Sequence, residues 1–175
     1  MNTELELDLQ KRTQKANATI KNYVIANMAV SLVPFPLIDL VVITGIQLKL
    51  LHSLAKLWDV PFKNDIGKSI LASLVGSGVP TGAAMTMASA AKTIPMGGTA
   101  AGVISLSLLS GAATYAVGKV FAQHFASGGT FLDFDPDSVR EHFDNLLAEG
   151  KQVVADLKKD SASKESSKEA PAAAK

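Results

Sequence analysis

Polar and apolar residues fall in blocks along this chain, and the blocks predict helices. Residues 2 to 21 are polar, with Thr3 and Glu6 spaced as a capping box, and they lead through Lys11, Arg12, Lys15 and Lys21 into apolar sequence. Tyr23 to Val33 is uncharged over eleven residues. As a helix it is about 16 Å long, half of a roughly 30 Å hydrocarbon core. Pro34 and Pro36 then interrupt any regular helix, because each lacks an amide hydrogen and restrains the residue before it. Beyond them Leu40, Thr44, Gln47, Leu48, Leu51, Ala55 and Trp58 recur at helical spacing, while Lys49, His52 and Lys56 fall outside that stripe. Trp58 is expected at headgroup depth, with Pro61 ending the element.

Two longer uncharged runs follow, Ser69 to Ala91 (23 residues) and Thr93 to Gly118 (26 residues), each long enough to span a bilayer. Lys92, Pro95, Gly97 and Gly98 mark a turn between them, so residues 69–118 predict a transmembrane hairpin. Small residues crowd both runs: Gly76, Gly78 and Gly82 in the first, Gly98, Gly102, Ser107, Gly111, Thr114 and Gly118 in the second. Small residues let helix backbones approach closely in lipid, so these positions are candidates for helix packing and oligomer contacts. Pro80 predicts a kink in the first run.

Past Gly118 the pattern changes. Tyr115, Phe121 and Phe125 are expected as interface anchors, and Asp135-Pro136 has the form of a helix start. Val139, Phe143, Leu146, Leu147, Val154 and Leu157 then form a stripe whose opposite face, with Asp137, Arg140, Glu141, Asp144 and Glu149, is mostly acidic. Surface helices on lipid normally carry basic polar faces, so this stripe is a candidate for binding protein, either a second subunit or a partner. From Lys158 the chain is Lys, Ser, Glu and Ala, which predicts a disordered tail over 159–175.

Charge placement orients these elements. Of 17 Lys and Arg, four precede Tyr23, four lie within 49–68 and eight lie from 119 onward, leaving Lys92 alone at the far end. By the positive-inside rule both termini and the 49–68 connection face the cytoplasm. This favours a re-entrant hairpin over residues 23–58, tipped at Pro34 and Pro36, above a single kinked span. In a plain span Asp39 would be buried near mid-depth at about 2.5 to 3.5 kcal/mol; in the hairpin it sits in the first turn of a helix, complementing the dipole. The organisation expected is a polar N-terminal helix (1–22), a membrane domain (23–130), a cytoplasmic amphipathic helix (131–158) and the tail. The fold class is an all-α integral membrane protein, seated in a bacterial cytoplasmic membrane.

Composition removes several chemistries. The chain has no Cys, which excludes disulfides and thiolate sites, and a net charge of +1 gives no pull toward nucleic acid. His52, His124 and His142 are far apart and form no metal pattern, and Ser105, Ser107 and Ser110 have no matched base. Gly67-Lys68-Ser69 is not a phosphate loop, since Phe62 occupies the place of its first glycine. No enzyme activity, cofactor or metal is expected.

The combination of Val33-Pro34-x-Pro36, Asp39, Gln47, Leu54-Ala55 before Trp58, Ile94-Pro95 and Thr114-Tyr115-x-x-Gly118 followed by His124 and Gly128-Gly129 resembles the bacterial membrane-domain family typified by YcjF. The resemblance covers residues 20 to 130, and its members also occur fused to small GTPase domains. It implies a membrane module associated with a small GTPase and no known catalytic activity. The expected function is a self-associating structural membrane protein that shapes the bilayer or anchors a GTPase. The alternative is an oligomeric channel or transporter with Pro34, Pro36, Asp39, Thr44 and Gln47 on its pathway.

Overall fold

A computed structural model describes residues 2–30, 38–77 and 100–169, with side chains over 3–30, 42–75 and 107–161. Among the described residues there are five helices and no strand: α1 (Asn2–Val30), α2 (Ile38–Leu57), α3 (Asn64–Ser77), α4 (Ala100–Ala126) and α5 (Arg140–Glu169). The periodicity predicts most of these.

The centre is α4. It packs on α1, α2 and α5, and α2 also packs on α1 and α3. A helix apolar on all sides must be enclosed, either by lipid or by other helices. Here Ala112, Thr114, Ala116, Val117, Val120 and Phe121 are buried by neighbouring helices. From α1 come Ala16, Ile20, Val24 and Asn27, at spacings of four, four and three. From α5 come Phe143, Leu146, Gly150 and Val154, at three, four and four.

Aromatic side chains close one end of the bundle. Phe121 stacks on Phe134 at 4.5 Å between centroids, Phe125 meets Phe131 edge-on at 5.1 Å, and Phe62 meets Phe131 at 5.5 Å. Two helix ends in this region use the same left-handed cap. After α4, Gly128 (φ 85°) lets the Gly129 amide donate to the His124 carbonyl at 2.9 Å. After α2, Asp59 (φ 57°) does so without a glycine, and the Val60 amide donates to the Ala55 carbonyl at 2.9 Å. Arg12 braces that second end, donating to the Leu57 carbonyl at 2.9 Å and to Asp59 at 3.3 Å.

The polar segment up to residue 22 and residues 23–30 lie on one helix, α1, whose buried face runs from Ala16 and Ile20 through Val24 and Asn27. Other expectations are corrected. Phe121 and Phe125 are buried aromatic core. Trp58 lies tilted against Phe125 at 6.4 Å with its indole nitrogen buried, so it is not presented to headgroups. Among the described residues no helix is long and apolar enough to cross a membrane. The transmembrane hairpin expected over 69–118 therefore has described limbs that serve another purpose: α3 buries Ile70, Leu71 and Leu74, and α4 is the bundle's centre. The rest of that hairpin, with Gly78, Pro80 and Gly82 of its first run and the turn at Lys92, Pro95, Gly97 and Gly98, lies outside the described residues, as do Pro34 and Pro36. Finally, α5 runs on to Glu169, through residues expected to be disordered. Asp135 accepts the Asp137 amide at 3.1 Å as a cap should, but it does so in a turn, and the helix begins at Arg140.

Candidate functional site

The small-residue positions of α4 are where its neighbours come closest. A Cβ added at Gly118 would lie 2.7 Å from Ile20 Cγ1, and one at Gly111 would lie 2.9 Å from Met28 Cγ and 3.0 Å from Val154 Cγ2. Between them Asn27 Nδ2 donates to Thr114 Oγ1, whose own hydroxyl donates to the Ser110 carbonyl at 2.9 Å. Ser107 Oγ donates to the Met28 carbonyl at 3.3 Å. Ser107, Gly111, Thr114 and Gly118 are thus gathered on the contact between α4 and α1, inside one chain. Hydroxyls and an amide in an apolar contact are stable only when paired, and pairing fixes the register of the two helices.

The stripe on α5 is likewise taken up by the chain itself. Phe143, Leu146 and Val154 are buried, and Val139, Leu147 and Leu157 pack against the same core. Within the chain it packs on α4. Thr44 is half-buried and Gln47 buried on α2; Asp39 is the second residue of that helix, within its first turn. Gly76 is the penultimate residue of α3, and Gly102 lies in the first turn of α4.

These contacts fix the helix directions, and the directions define a pole. Residues 17, 20 and 27 of α1 meet residues 119, 118 and 114 of α4, so the two run antiparallel. Arg12 and Tyr23 of α1 reach Leu57 and Ser53 of α2 in the same opposed sense. A short connection returns α3 along α2, with Gly67 against Leu48. Val30, Ile38, Ser77 and Ala100 therefore end four helices at one pole. These four helix ends flank the apolar segments 31–37 and 78–99 in the sequence, and 78–99 carries Lys92 as its single charge.

The opposite pole and the flanks carry most of the charged groups, although Leu5, Leu7, Leu9 and Leu132 are also exposed at that end. Asp133 accepts from the Thr130 hydroxyl and from its amide at 2.6 Å, and these bonds, with His124 nearby, hold its carboxyl below the usual range. Tyr115 donates to Glu149 at 2.6 Å; burial first, and that bond second, push the phenol up to about 12. A cleft of 380 Å³ opens between α1 and α5 over Tyr115. Lys21 and Lys119 on its walls are balanced by Asp156 and Asp160, so it has no preference for either sign of ligand. Among the described residues no group of three His, Asp or Glu is placed to hold a metal ion.

Sequence reasoning passed over Gly150 and Asn27. A Cβ at Gly150 would meet the Ala112 carbonyl oxygen at 2.9 Å and Ala112 Cα at 3.1 Å, so the α5 backbone comes close to that of α4 here. The available signal was a lone glycine inside a strongly helical polar segment, which usually has a packing reason.

Comparison with known proteins agrees with the bacterial membrane family suggested by the sequence. Residues 3–152 match a family described as a domain of unknown function, DUF697. The chain is 38% identical over 144 residues to magnetosome membrane protein 22 of Magnetospirillum gryphiswaldense, covering 82% of this chain and 74% of that protein. No solved structure matches.

Proposed function

The chain belongs to the DUF697 family, and from that premise we propose a structural, non-catalytic membrane protein that seats its bundle on the bilayer from one side. The observation that supports this reading is the shared pole: the helix ends that flank both apolar segments lie on the same side. Insertion from one face then requires no segment of the polar flanks to cross lipid. A relative named as a magnetosome membrane protein supports the same placement. Self-association belongs to the same proposal. Gly111 and Gly118 are occupied by α1 within the chain, so the contacts between copies are assigned to the other small-residue positions of the pattern, Gly76, Gly78, Gly82, Gly98 and Gly102.

The chain has no cysteine, so single-cysteine labelling in intact membranes tests the topology directly. Phe35→Cys and Thr93→Cys are expected to resist a membrane-impermeant maleimide, while Lys63→Cys and Thr130→Cys label from one common side. Labelling of Phe35→Cys from the side opposite Lys63→Cys would sink one-sided insertion. Reconstitution yielding only monomers would remove self-association while leaving topology intact.

A further inference from the structure

The pole's outer wall says which lipid it meets. Residues 22–30 of α1, 40–48 of α2 and 69–77 of α3 contain no Asp, Glu, Lys or Arg. Each stretch covers nine residues at the pole end of its helix, about 14 Å at 1.5 Å per residue, close to half of a roughly 30 Å hydrocarbon core. Burial does not account for the missing charge. Ile25, Ala26, Ala29, Ala72 and Ser73 are exposed, Ile25 by 46%, and Val42, Ile43 and Ile46 are half-exposed. Outward positions of a helix in water ordinarily carry charge.

The residue that closes each uncharged stretch, on the side away from the pole, is a lysine: Lys21, Lys49 and Lys68. All three are exposed, and none engages its ammonium in a hydrogen bond or ion pair among the described residues; Lys21 stands at the α5 side of this wall, on the cleft that also holds Asp156 and Asp160. Asp39 is the one carboxylate at the pole end of this wall, in the first turn of α2. On the remaining side the picture reverses. Beyond the level where Val154 meets Gly111, α5 exposes Asp156, Lys159 and Asp160. The uncharged surface is therefore the α1, α2 and α3 side of the pole, with α5 at its watery rim.

Resting on the reading of this pole as the bilayer-facing end, we propose that the α1–α2–α3 wall seats in one leaflet of an anionic bilayer, with Lys21, Lys49 and Lys68 at the level of the lipid phosphates. Nine uncharged residues reach through the acyl region of one leaflet, and the lysines stop at its headgroups. Each lysine near an anionic surface strengthens binding about fivefold, so three together contribute roughly a hundredfold.

The test is vesicle flotation of the full chain, using phosphatidylcholine alone and phosphatidylcholine with phosphatidylglycerol, at low and high salt. Lys21→Gln/Lys49→Gln/Lys68→Gln is compared with Lys11→Gln/Lys15→Gln/Lys56→Gln, which removes the same charge from exposed positions at the other end. The first variant is expected to lose about a hundredfold on anionic vesicles and nothing on neutral ones. The second is expected to stay within a few-fold of the parent, and the difference to shrink at high salt. Equal binding of parent and first variant to anionic vesicles overturns the lysine tier, as does an equal loss in both variants; binding to neutral vesicles in either case leaves the bilayer-facing pole standing. No binding of the parent to any vesicle overturns the pole reading itself.

Discussion

Replacing Gly150 by alanine tests the close approach of α5 to α4 through the sign of a stability change. In an open helix the substitution stabilises by about 0.8 to 1.0 kcal/mol, because glycine loses more backbone freedom on folding. At Gly150 the new methyl would lie 2.9 Å from the Ala112 carbonyl oxygen and 3.1 Å from both Ala112 Cα and Tyr115 Cδ1. Two of those atoms are helix backbone and cannot turn aside. Ordinary carbon contacts lie near 3.5 to 4.0 Å, so α5 must retreat by roughly half an ångström, loosening Phe143, Leu146 and Val154 together. Overpacking of this kind costs about 1 to 3 kcal/mol. The internal reference is Gly45→Ala on α2, where the added Cβ meets nothing within 4 Å. Helix propensity enters both substitutions and cancels in their difference, so Gly150→Ala should be less stable than Gly45→Ala by about 1 to 3 kcal/mol. Urea unfolding of both variants in one buffer, followed by far-ultraviolet circular dichroism, measures that difference. If Gly150→Ala gains as much as Gly45→Ala, the two helix backbones do not touch at Ala112 and the packing described for α5 is wrong.

Three further outcomes are expected. Thr114→Val removes the acceptor of a buried Asn27 amide and should cost about 1 to 3 kcal/mol, while Asn27→Leu/Thr114→Val recovers much of it; an additive double variant would show that the pair is not coupled. Asp59→Gly relieves a left-handed residue but gives up the exposed Arg12 contact, so it should stabilise by less than roughly 1 kcal/mol, and Gly128→Ala should destabilise by roughly 1 kcal/mol, both read as shifts in the unfolding midpoint. The Tyr115 phenol is raised from 10.0 to about 12, so its contribution is complete below pH 10 and disappears as pH rises toward 12. Stability should therefore fall less steeply across that interval in Tyr115→Phe than in the parent.

Helix positions were legible because each amphipathic face repeats, as with Ala16, Ile20 and Val24 or Phe143, Leu146 and Val154. What enclosed the apolar helix was not legible. An uncharged run such as 100–118 satisfies the same pattern inside a bilayer and inside a ring of helices, since both remove water from every side. Only the partners of Gly111, Thr114 and Gly118 distinguish the two, and those in α1 lie far away along the chain, at Met28, Asn27 and Ile20. The stripe on α5 was ambiguous for the same reason: periodicity shows that a face is covered without identifying the cover. The charge limits at Lys21, Lys49 and Lys68 were present in the sequence from the start. They acquire meaning only when antiparallel packing brings three separate stretches to the same end of the bundle.

The single uninterrupted α1 has a mechanical consequence. Its 29 residues form a rod about 44 Å long, pinned toward its middle by Arg12 and near its pole end by Asn27, which leaves its first two turns beyond the inner pin. Such a rod cannot bend to decouple its ends, so tilting the apolar pole swings the first turn through a proportionate arc. An orientation probe attached beside Thr3 would amplify small changes in how the protein leans on its support, far from the lipid that causes them.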